Sequence, residues 1–138
     1  MTPRSTSTGA VLEAMILPAL ERGGYAVRTQ VPVGNRLGGR RQFADVLAER
    51  GDERVLVSLK WQQTSGTAEQ KVPFEVMCLA EAVRSNHAVR AYLVLGGDRW
   101  TLRDYFTSGA LTDHLIHASL VRVVTLESFV RLANTAKL

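Results

Sequence analysis

Hydrophobic positions along the chain change period several times, and each change marks an element. Val11, Leu12, Met15, Ile16, Ala19 and Leu20 recur at three- and four-residue spacing, which predicts a helix over 8–22 with one buried face. Pro18 falls inside it and removes a backbone donor, so a kink or weak spot is expected there. Gly23-Gly24 stops the helix. The period then drops to two, so Tyr25 to Val31 reads as a strand, followed by a glycine-bearing loop from Pro32 to Gly39. Gln42 to Gln63 reads as two more strands. They are joined by the tight turn Arg50-Gly51-Asp52-Glu53, whose glycine and acids supply flexibility and side-chain-to-backbone bonds.

The helical period returns after a polar link. Thr67 and Gln70 form a capping box, Pro73 lies within the first two turns, and Val72, Val76, Leu79, Ala80 and Val83 line one face until about Ser85-Asn86. Val89 to Leu95 is apolar throughout and reads as a strand buried on both sides. Gly96-Gly97-Asp98 turns the chain; short helices are predicted over 101–107 and 112–117, a last strand over 120–125 and a closing helix over 126–133. This order implies an α/β fold. An antiparallel meander followed by β-α-β crossovers makes a central mixed β-sheet covered on both faces, a three-layer α/β/α arrangement.

Composition narrows the class. A chain of 138 residues suits one domain with a single core, preceded by a loose polar run over 1–7. With 46% apolar and 22% charged residues, the composition is that of an ordinary globular domain and argues against disorder. The net charge of +4 favours an acidic partner such as nucleic acid, although charge bears on attraction and not on chemistry. Cys78 stands alone in an apolar helical pattern and reads as a buried small residue. No apolar run nears the roughly 18 residues of a membrane helix, and no leader pattern opens the chain, so a cytoplasmic protein with no membrane contact is expected.

Two polar residues interrupt apolar strands. Asp45 sits within Phe43-Ala44-Asp45-Val46-Leu47, and Lys60 follows Val55-Leu56-Val57-Ser58-Leu59. Paired strands can hold a carboxylate and an ammonium close together, and a buried charge is costly unless paired or metal-bound. Strand alternation puts Ser58, Lys60 and Gln62 on one face. The plainer alternatives are an Asp45 paired with an arginine and a Lys60 whose stem snorkels to water. His87, His114 and His117 have no ligand spacing with Cys78 and read as structural or surface residues.

A helix, a three-strand meander, a helix and a further strand, with Asp45 on one strand and Ser58-Leu59-Lys60 on the next, resemble the core of the PD-(D/E)XK nuclease superfamily. The stretch from Lys60-Trp61-Gln62 to Glu69-Gln70-Lys71 is similar to the strand exit and helix start of its small resolvase-like and restriction-endonuclease-like members. The resemblance covers roughly 8–95 and implies a restriction-endonuclease-like core. It places Asp45 as a metal ligand and Lys60 as the catalytic lysine. Ser58 stands where the family has an acid, and Ala44 where the name-giving proline would be. Some restriction enzymes of the superfamily with the same Ser-x-Lys strand supply the acid from the next helix. Glu75, fifteen residues beyond Lys60, matches that position, with Glu69 as the rival. Glu75 also reads as a solvated helix residue paired with Lys71, and Glu69 as a first-turn acid suiting the helix dipole.

The resemblance therefore implies phosphodiester hydrolysis with Mg²⁺, Mn²⁺ substituting, held by Asp45 and Glu75. Lys60 would orient or activate the attacking water, Gln62 would hold water or a phosphate oxygen, and Ser58 would make room or act directly. Glu13 on the first helix stands where resolvase-like members carry an acid. Arg36, Arg40 and Arg41, in and beside the glycine-rich loop, suit phosphate contacts or a plain solvated face. The expected activity is a Mg²⁺-dependent DNA endonuclease. It would be structure-specific, in the manner of a Holliday-junction resolvase or a repair and recombination nuclease, and act as a homodimer. The alternatives are a catalytically inactive nuclease-fold module that binds nucleic acid or another subunit, a sequence-specific restriction endonuclease, and an RNA-directed nuclease.

Overall fold

The computed structural model describes residues 9–62 and 68–138. The expected N-terminal tail and the Thr67 cap lie outside these residues. Five strands form one sheet in chain order: β1 (Ala26–Asn35), β2 (Arg41–Arg50), β3 (Glu53–Trp61), β4 (Arg90–Gly96) and β5 (Val121–Thr125). The first three form an antiparallel meander, and β4 and β5 continue it in parallel. Helix α1 covers 9–22, α2 is Ala68–Arg84, α3 is Arg103–Thr107 and α4 is Leu126–Asn134.

Alternation along β3 builds two cores. Val55, Val57 and Leu59 face a layer made by Leu12, Ile16 and Leu20 of α1 and Phe129 of α4. Leu56 faces the opposite layer, made by Val72, Val76 and Leu79 of α2. The result is the three-layer α/β/α arrangement, and it puts Ser58 and Lys60 on the α2 side.

Pro18 does not break α1. Residues Leu12–Ile16 form a π-helical turn in which the Leu17 N–H reaches back to the Leu12 carbonyl. This wider turn lies just before Pro18, whose ring would crowd the preceding turn of an ordinary helix. Two predicted boundaries are corrected. Strand β1 runs through Pro32 to Asn35, because β1 is an edge strand and a missing donor can face outward there; the loop shrinks to 36–40. The helix predicted over 112–117 is replaced by 3₁₀ turns at Ala110–Asp113 and Ala118–Leu120. Gly109 and His117, each left-handed, precede those turns and interrupt any continuous helix.

Gly23 ends α1 where α1 meets α4. A Cβ built there would overlap the Ala133 carbonyl oxygen and crowd the Tyr25 ring. Since the obstacle is backbone, relief requires moving a helix. Gly23→Ala is expected to lower stability by about 1–3 kcal/mol through overpacking, as measured by urea denaturation.

Candidate metal-binding active site

Strands β2 and β3 pair from Arg50–Glu53 as far as Val46–Val57 and then part. At the fork, Asp45 replaces the lost ladder bond: its Oδ2 accepts the Leu59 N–H at 2.8 Å. Burial is the chief influence on this carboxyl and pushes its pKa up. The Leu59 N–H, Lys60 and the Gln30 amide oppose that shift, while the nearby charge of Glu75 adds to it.

Glu75 lies among the Val72, Val76 and Leu79 positions on the inward face of α2, and its side chain is only 7% exposed. Its Oε1 accepts a hydrogen bond from Arg36 Nη2 at 2.7 Å and lies 4.0 Å from Lys60 Nζ. The Arg36 guanidinium also sits over the Phe74 ring, 5.2 Å from its centre. Its bond to Glu75 raises the arginine's already high pKa. Two acids, Asp45 and Glu75, are thus gathered with two cations, Lys60 and Arg36, on the α2 side of the sheet. Ser58 is buried on the same face, one alternation from Lys60.

Other sequence-predicted residues lie elsewhere. The Glu69 carboxylate accepts the N–H groups of Thr101 and Leu102 and the Thr101 hydroxyl. It ties the start of α2 to the segment before α3, and those bonds lower its pKa. Gln62 is buried, but its Nε2 donates to the Arg99 carbonyl at 2.8 Å, and its Oε1 has no partner among the described residues. Glu13 is exposed on α1, whose buried face packs in the opposite layer. Among the described residues, neither Gln62 nor Glu13 makes a side-chain hydrogen bond to Asp45, Lys60 or Glu75. Arg40 is exposed, and its carbonyl accepts the Arg36 N–H; Arg41 stacks over Phe43 at 5.1 Å. Lys71 is exposed, and Glu75 pairs with Arg36 and Lys60 instead. Sequence reasoning missed Gln30, which the β1–β2 register sets across from Asp45. Once that register is known, a polar residue in the middle of a strand is the signal.

Among the described residues, no group of three or more His, Cys, Asp or Glu side chains gathers. A hard cation such as Mg²⁺ needs only one or two carboxylates when water and substrate oxygens complete its shell. The Asp45 and Glu75 donor set fits such an ion.

Residues 4–137 match the family model described as a PD-(D/E)XK nuclease superfamily domain. No curated protein matches the chain. The solved structures that resemble it include these two. One, a protein of unknown function called AF1548, is 17% identical with a TM-score of 0.48, over 80% of this chain and 54% of that one. The other, the small subunit of the heterodimeric restriction endonuclease R.BspD6I, is 16% identical with a TM-score of 0.42, over 85% of this chain and 62% of that one. The chain spans less than two thirds of the length of either.

Two outcomes are expected. Because burial and Glu75 both disfavour the charged form of Asp45, Asp45→Asn should raise the melting temperature of the metal-free protein. The rise should be about 3–5 °C per kcal/mol relieved in a chain of this size, read by calorimetry in EDTA. Glu69 has a lowered folded-state pKa, so its contribution is present above the ordinary glutamate value and is lost as pH falls through the folded value. Denaturation should therefore find Glu69→Gln less stable than the native protein at pH 7, with the two converging as pH falls through the lowered folded value.

Proposed function

Because the chain belongs to the PD-(D/E)XK nuclease superfamily, we propose that it is a metal-dependent endonuclease hydrolysing DNA phosphodiester bonds. One observation carries the proposal: a helix-borne carboxylate, Glu75, is buried within 4.0 Å of the strand-borne Lys60 and near Asp45. An acid from the helix stands in for the one that Ser58 does not supply.

In this reading Asp45 and Glu75 hold Mg²⁺, or Mn²⁺ in its place. The bound ion would offset charge on the phosphate and make water more acidic. Lys60 brings an ammonium to the same face, where it can orient the attacking water or donate to a phosphate oxygen. Ser58 leaves room beneath the phosphate. Gln62 acts indirectly, fixing the end of β3 against the turn at Arg99. Arg36, Arg40 and Arg41 line the loop beside the site and meet the DNA backbone. A chain this small suits recognition of DNA shape, as in junction resolution or repair, and a homodimer would present two sites to two strands. Those two points rest on analogy with the family.

A second reading, a nuclease-fold module without activity, draws support from the serine at 58 and from Arg36 occupying Glu75. Incubating branched and linear DNA with Mg²⁺ separates the two. Cleavage by the native protein, reduced at least about 100-fold in both Lys60→Ala and Glu75→Ala, supports the enzyme. No cleavage of DNA or RNA with Mg²⁺ or Mn²⁺ supports the module.

A further inference from the structure

Glu75, assigned above as a metal ligand, is already bound by a cation of the chain itself. Arg36 Nη2 lies 2.7 Å from Oε1, the oxygen that also faces Lys60. A charge-assisted bond to a carboxylate is among the strongest side-chain contacts, so an incoming ion must compete with it. Charge balance points the same way. Asp45 and Glu75 are matched by Lys60 and Arg36, so a doubly charged ion brings an excess of positive charge that is reduced when one cation departs and is offset fully only when a phosphate arrives.

Arg36 is the one built to depart. Lys60 comes from β3, inside the sheet, whereas Arg36 comes from the exposed turn over 36–40. That turn is closed by two backbone bonds, Arg36 N–H to the Arg40 carbonyl and Gly39 N–H to the Arg36 carbonyl. Gly38 and Gly39 both have left-handed φ, and nothing lies within 4 Å of where their Cβ atoms would be, so the tip of the turn is open, while Leu37 beside it bonds through its backbone to Cys78 of α2. The side chain of Arg36 is 30% exposed and rests on the half-open Phe74 ring.

We infer that Arg36 is a latch on the metal site. It holds Glu75 in the resting protein, yields it to a divalent ion, and carries its guanidinium to a DNA phosphate. This rests on Glu75 being a ligand and goes beyond it. Metal and DNA would each favour the other, because each removes Arg36 from the position the other needs it to leave, and such coupling is reciprocal. The metal site would then be weak without DNA.

Calorimetric titration of Mn²⁺ into the DNA-free protein tests this. Arg36→Gln should bind Mn²⁺ roughly tenfold or more tightly than the native protein, the scale of one lost hydrogen bond to a charged group. Lys71→Gln removes equal charge one helical turn from Glu75 without touching it and should bind as the native protein does. Fluorescence anisotropy with labelled DNA gives an independent readout. Arg36→Gln should weaken DNA binding several-fold with Ca²⁺ present and little without it. Should Arg36→Gln fail to fold, Arg36→Lys should fold and give an intermediate Mn²⁺ affinity. Equal Mn²⁺ affinity in the native protein and the Arg36 variant, or an equal gain in Lys71→Gln, overturns the latch and leaves the nuclease reading standing. The same DNA cost with and without Ca²⁺ also overturns it. No Mn²⁺ binding by any of the proteins overturns the latch and the metal-dependent reading together.

Discussion

A carboxylate placed where the core should be apolar organises the structure around it. Glu75 shares its helix face with Val72, Val76 and Leu79, and its side chain is 7% exposed. Leaving such a charge unpaired would cost several kcal/mol, roughly the penalty for an ion removed from water. The surrounding elements meet that demand from two directions. Lys60 arrives from the end of β3, and Arg36 reaches in from the turn between β1 and β2. A protein concerned only with stability would place a leucine at 75 and need neither cation.

The fork in the meander follows the same logic. Beyond Val46–Val57 the strands separate, and a backbone donor inside a sheet must find another acceptor. Asp45 accepts it from Leu59. One side chain therefore closes the ladder and faces the acid on α2. Its raised pKa records the cost of that position: a largely buried place near another acid is a poor place for a charge.

The opposite layer is an apolar core. On that face α1 and α4 pack as apolar surfaces against Val55, Val57 and Leu59. Gly23, which has no Cβ, lets the end of α1 come close to the Ala133 carbonyl of α4. A site spread over β2, β3, α2 and one turn needs such a support, since small displacements of its members would separate them.

Periodicity alone determined most of the architecture, because burial imposes a repeat of two or 3.6 on any chain that folds this way. The helix–meander–helix–strand order, the hairpin at Gly51 and the candidate residues Asp45 and Lys60 were all legible in the sequence. Pro32 misled the strand boundary, because one sequence does not say which strand lies at the sheet edge. Tertiary structure decided the remainder. Glu69 and Glu75 lie on the same helix, six residues apart. Only the packing of α2 sends one to Thr101 and Leu102 and the other to Lys60. The partnership of Arg36 with Glu75 joins positions 39 residues apart, and no local pattern encodes a contact that depends on how the chain closes in space.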